Sequence, residues 1–111
     1  MKVLFILNDA PYGSEKAFNA LRLAMALQKD HPETKVRLFL MADAVGAALA
    51  GQATPQGYYN LGRMVESVAR KGGEVALCGS CMEARGLKGA APGTMPQLAQ
   101  WTVEAEKVLV F

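Results

Sequence analysis

Histidine occurs once in this 111-residue chain, at His31, and cysteine twice, at Cys78 and Cys81. A tetrahedral zinc site needs four such ligands, so no metal and no bound cofactor is expected. Neither a Ser-His-Asp set, a glycine-rich phosphate loop nor a paired-carboxylate motif is present. No apolar run approaches the roughly 18 residues needed to cross a membrane. The opening run Val3–Leu7 stops at Asn8-Asp9 without a small-residue cleavage site, which argues against a secretory leader. Neither sign of charge dominates: 12 Lys plus Arg face 10 Asp plus Glu, a net charge of +2. With no basic cluster to concentrate it, that balance gives no reason to expect a nucleic acid or a membrane as partner. Together these absences point to the cytoplasm, where a pair of cysteines is more often catalytic or metal-binding than a structural disulfide.

What is present suits one α/β domain spanning residues 1–111. Four runs read as strands: Lys2–Leu7, Lys35–Met41, Glu74–Leu77 and Lys107–Phe111. Each starts with a charged residue and continues with a Val-led apolar stretch. Three are nearly unbroken, the pattern of parallel strands covered on both faces. Arg37 interrupts the second, which places that strand nearer an edge. The shared charged starts align the strands, so Asn8-Asp9, Ala42-Asp43 and Cys78-Gly79 should lie on one rim. Between the runs, helices are expected at Ser14–Lys29, with Ser14 as N-cap, and at Asn60–Lys71, stopped by Gly72-Gly73. A short one follows from Gly79 or Ser80 to Gly86, and a last one spans Met95–Ala105, with Trp101 in the core. Gly51–Gly57 reads as a polar loop. This alternation predicts a three-layer, mainly parallel sheet with helices on both faces.

The first helix carries more apolar surface than one sheet can cover. Ala17, Phe18, Ala20, Leu21, Leu23, Ala24, Met25 and Leu27 span roughly 220° of its circumference, where about 100° would suffice. Either a neighbouring helix of the same chain or a second subunit must take the excess. The homo-oligomer is the simpler expectation.

The chemistry concentrates in Cys78-Gly79-Ser80-Cys81. Cys78 ends a buried strand, and Cys81 lies one helical turn on. The first amides of a helix have no internal partner, and Gly79 and Ser80 are small enough to let them approach sulfur. A thiol there should ionise below the free-cysteine value of about 8.5. Ligands usually bind at the carboxyl ends of such strands. Against this stands the use of cysteine as a small buried hydrophobe, above all for Cys81. Other candidates have two readings each. Arg85 either holds an anionic sulfur acceptor or pairs with Glu83 or another acid. Asn8 and Asp9 either orient the thiol or begin a turn. Tyr58 and Tyr59 either cover the cysteine or an interface, or anchor their loop.

These residues resemble a known family. Cys78-Gly79-Ser80-Cys81-Met82-Glu83-Ala84-Arg85-Gly86-Leu87 is similar to the cysteine motif of DsrE/DsrF-like proteins. Asn8–Ser14, Thr54–Asn60, Gly93-Thr94-Met95 and Trp101-Thr102 before Lys107–Phe111 also fit. The resemblance implies a five-stranded flavodoxin-like sheet, the fifth strand falling near Leu87–Ala91, and assembly into trimers or hexamers. It also implies sulfur relay, with Cys78 as persulfide acceptor, donor and acceptor proteins as partners, and possible sulfurtransferase activity. The second cysteine, Cys81, departs from single-cysteine relay subunits and is closer to the stand-alone branch. It would be a resolving thiol. The competing expectation is an oligomeric binding or redox-sensing module whose cysteine pair is regulatory or structural.

Overall fold

The charged starts and apolar runs resolve into one parallel sheet. The computed structural model describes residues 1–55, 59–88 and 92–111. Strands β1 (Lys2–Leu7), β2 (Lys35–Leu40), β3 (Glu74–Cys78), β4 (Pro92–Gly93) and β5 (Lys107–Val110) lie in the order β4-β3-β2-β1-β5. Every neighbouring pair is parallel. Helices α1 (Lys16–Asp30), α2 (Leu61–Arg70), α3 (Gly79–Ala84) and α4 (Met95–Glu104) occupy the connections. A 3-10 helix, Ala42–Ala48, follows β2 and has no counterpart in the sequence-based expectation.

Side chains of β2 alternate between two helix layers. Phe39 meets Trp101 of α4 edge to face, with ring centroids 6.2 Å apart, and the Arg37 guanidinium lies 5.1 Å from the centroid of the same indole. Leu38 and Leu40 therefore point to the opposite face, where α1 and α2 pack on each other and on the sheet. The arc on α1 is largely taken up within the chain. Ala17, Ala20, Leu21 and Ala24 are buried, and Phe18 stacks on Tyr59 with centroids 3.8 Å apart. Leu23 remains 40% exposed.

Centre and edge are the reverse of the expectation. β2 is the middle strand, and the run at Lys107 is the edge strand, with Val110 64% exposed. Arg37 is tolerated at the centre because partners remote in sequence satisfy it. Its Nε donates to Glu74 Oε1 at 3.1 Å and its Nη1 to Glu104 Oε1 at 2.7 Å. An ion held by two carboxylates and an aromatic face loses far less than a bare one on leaving water.

Two smaller expectations are also corrected. Glu15, not Ser14, occupies the N-cap of α1, because the Ser14 hydroxyl donates to Asp9 Oδ2 at 2.7 Å. The fifth strand is Pro92–Gly93, one step past the expected stretch, of which residues 89–91 lie outside the described residues. The end of the expected polar loop, residues 56–57, also lies outside them. Asn60 does start α2: its Oδ1 accepts from the Arg63 N–H at 3.1 Å. No helix among the described residues is long and apolar enough to cross a membrane.

Candidate functional site

Parallel strands end together, so the carboxyl ends of β1, β2 and β3 share a rim. The β1–β2 register runs from Lys2 opposite Lys35 to Leu7 opposite Leu40, and Leu40 in turn faces Leu77. Cys78 closes β3 and is also the N-cap of α3. Gly79 sits where β4 crosses beside the turn. A Cβ at that position would lie 2.6 Å from the Pro92 Cβ, so only glycine fits.

Both cysteines are free thiols; Cys78 is buried, 4% exposed, and Cys81 is half-buried. Cys78 Sγ lies 3.3 Å from Ser80 Oγ. Burial alone pushes the Cys78 thiol up. Hydrogen bonds from the Cys81 thiol, the Ser80 hydroxyl and the backbone N–H groups of Cys81 and Ser80 outweigh it, holding the thiol below the ordinary cysteine value. The direction matches the sequence argument, and the donors are named groups on α3.

Cys81 has a partner on another strand end. The Ala42 N–H donates to Cys81 Sγ at 3.2 Å. Strand alternation accounts for the direction of that donor. Met41 continues the extended backbone past β2 and its N–H bonds Leu7 O on β1, so the next N–H faces the β3 side. There β3 has already stopped at Cys78, and the sulfur of Cys81 stands where a ladder carbonyl would otherwise be. Ala42 has φ 50°, the one non-glycine residue with positive φ among those described. Nothing in the sequence marks it.

Arg85 takes the structural alternative, with Asp43 as the other acid. Its Nε and Nη2 donate to Asp43 Oδ1 at 3.0 and 2.8 Å, and its Nη1 to the Cys81 carbonyl at 3.1 Å. Asn8 and Asp9 occupy the same rim but follow β1, two strands and about 10 Å across from β3. The Asn8 N–H donates to Phe111 O, continuing the pairing of β1 with β5, and Asp9 accepts from Ser14 within the turn. Tyr58 lies outside the described residues. Tyr59 stacks on Phe18 and anchors its loop. A cleft of about 360 Å³ runs along α3 and β4, lined by Gly79, Met82, Glu83, Leu87, Lys88 and Pro92. Among the described residues, no three His, Cys, Asp or Glu side chains stand together as a metal cluster.

Comparison with known proteins agrees along the whole chain. The chain is 45% identical over 116 residues to protein YchN of Escherichia coli, covering 99% of this chain and 98% of that protein. It is 34% identical over 115 residues to an uncharacterised protein of Methanopyrus kandleri, covering 98% and 93%. The crystal structure of the E. coli ychN protein superposes with a TM-score of 0.92 at 44% identity, covering 99% and 98%. A protein of unknown function from Methanobacterium thermoautotrophicum shares the fold, with a TM-score of 0.72 at 13% identity over 99% and 98% of the two chains. The profile of the DsrE/DsrF-like family matches residues 1–111. The chain belongs to the DsrE/DsrF-like family, a family broadly associated with sulfur relay.

Proposed function

We propose that this protein is a cytoplasmic sulfur carrier that accepts sulfur on Cys78 as a persulfide, with Cys81 as resolving thiol. The observation that carries the reading is the set of donors gathered on Cys78 Sγ, which favours its thiolate despite burial. The thiolate attacks the outer sulfur of a donor persulfide. A bond forms between Cys78 Sγ and that sulfur, and the donor leaves as its own thiolate. Cys81, one turn away, then supplies a route for release. Family membership favours the same chemistry.

The experiment is intact mass spectrometry after incubation with a small-molecule persulfide donor, on the parent and both single variants. A gain of one sulfur atom is expected in the parent and in Cys81→Ser, and none in Cys78→Ser. Loading that survives Cys78→Ser sinks the assignment. Absence of loading in the parent favours a redox-sensing or binding module instead.

The carrier is proposed to act as a homo-oligomer, a trimer or hexamer. Leu23 on α1, Val103 on α4, and Val108 and Val110 on the edge strand β5 are apolar side chains left exposed on one chain, and an assembly would cover them.

A further inference from the structure

The first turn after β2 carries backbone strain, and its N–H meets a sulfur. L-residues reach positive φ only at a cost, because Cβ crowds the following carbonyl oxygen, and Ala42 does so at 50°. The turn leaves the Ala42 N–H on Cys81 Sγ and places the next residue, Asp43, against Arg85 of the same short helix. The segment therefore grips α3 at two points, one of which is the sulfur itself. Cys81 is also among the groups that hold the Cys78 thiol low, so the Ala42 N–H reaches the thiol pair through the sulfur of Cys81.

We propose that Ala42 is a positioning residue for the thiol pair, its main-chain N–H holding the negative charge of Cys81 when that thiol resolves a persulfide on Cys78. The inference rests on the persulfide reading above. In the step itself, Cys81 gives its proton to water, and its thiolate attacks Cys78 Sγ. The Sγ–Sγ bond forms, the bond from Cys78 Sγ to the outer sulfur breaks, and that sulfur leaves as HS⁻. The outer sulfur is reduced by two electrons, and the two cysteines are oxidised to a disulfide. Reopening the disulfide takes a dithiol reductant, which a single turnover does not need. A donor on the attacking sulfur stabilises the charge that sulfur carries as it attacks. With a Brønsted coefficient of about 0.4–0.5, tenfold more thiolate costs only about threefold in nucleophilicity. The charged groups on the two elements are Asp43, Glu83 and Arg85. Asp43 and Arg85 are ion-paired, and Glu83 lines the adjoining cleft.

Two measurements test this. In ¹⁵N-labelled Cys78→Ser protein, the Ala42 amide proton should move downfield as pH rises, with the same midpoint as Cys81 alkylation. Adding Cys81→Ala should remove the movement. An Ala42 amide that ignores Cys81 ionisation overturns the proposal. The second is single-turnover sulfide release from persulfide-loaded protein. Ala42→Asn keeps a residue that accepts the left-handed region and should release at the parental rate. Ala42→Val, β-branched and unsuited to positive φ, should slow release by at least about tenfold, the loss of a hydrogen bond to a charged group, while Cys78 still loads. Release at the parental rate in Ala42→Val, or loading and release falling together, refutes the assignment. If Ala42→Val fails to fold, the amide titration and Ala42→Asn still decide. Failure of the parent to load refutes the persulfide reading alone, since the amide titration uses no sulfur donor.

Discussion

Gly93→Ala should loosen the strand that covers the cysteine turn. Gly93 is buried on β4 opposite Cys78. A Cβ there would stand 2.9 Å from Leu77 O, 3.2 Å from Leu77 C and 3.2 Å from Phe39 Cε2. None of these can yield easily. Leu77 is backbone in β3, and Phe39 is fully buried and held edge-on by Trp101. The strand that can move is β4, only two residues long. Overpacking of this kind costs about 1–3 kcal/mol. With an unfolding entropy of about 2.1 cal/mol/K per residue over 111 residues, that is a Tm loss of about 4–13 °C. Trp101, the only tryptophan, reports the transition by fluorescence; protein concentration is held fixed because assembly would shift Tm. Retreat of β4 should also uncover Cys78, which is 4% exposed, and quicken its reaction with iodoacetamide. An unchanged Tm with unchanged labelling would refute the claim that β4 is clamped between β3 and the aromatic pair.

Two pH-linked predictions follow from groups whose ionisation is shifted by folding. Arg37 holds the Glu104 carboxyl below its ordinary value, chiefly through their hydrogen bond, so this contribution is present above the unfolded carboxyl value and lost as pH falls through the folded one. Arg37→Met should therefore be less stable than the parent at neutral pH, and the gap in Tm should narrow below about pH 4; a gap independent of pH argues that Arg37 acts by packing alone. The Cys78 thiol is likewise held low. Its contribution is full above the unfolded value of about 8.5 and fades as pH falls through the folded one. The stability gap between the parent and Cys78→Ala should widen from about pH 6 to about pH 9, and a gap that shrinks reverses the sign of the argument.

Much of the fold was legible because it rests on short-range pattern. Charged residues before Val-led runs marked β1, β2, β3 and β5 to within a residue at each end. Asn60 and Gly72-Gly73 bracketed α2. Strand position within the sheet was not legible, since it depends on partners far along the chain. Arg37 reads as an edge residue until Glu74 and Glu104, 37 and 67 residues away, close around it. The Val108–Val110 run reads as buried, yet no strand pairs with its outer side among the described residues. The 3-10 helix after β2 escaped for a related reason. Apart from Asp43, Ala42–Ala48 is small and apolar, without a capping side chain at its start.

The candidate site divides along the same line. Cys78, Gly79, Ser80 and Cys81 are contiguous, so their mutual geometry follows from a strand end meeting a helix start. Asn8 and Asp9 were correctly placed on the rim but lie two strands away, because chain order does not give strand order. Ala42 could not be found from sequence at all: its contribution is a main-chain N–H, which every non-proline residue has. What selects it is sheet geometry. A parallel sheet brings its carboxyl ends to one rim, and a chain that stays extended past its last paired residue, as Met41 does, leaves donors facing an empty lane. Such donors must find acceptors or lose stability. Where β3 stops one residue past Leu77 and turns into α3, the acceptor that fills the lane is the sulfur of Cys81. An unsatisfied ladder donor thereby becomes a fixed dipole aimed at a thiol, and the first amides of α3, which have no partner within the helix, remain available to Cys78.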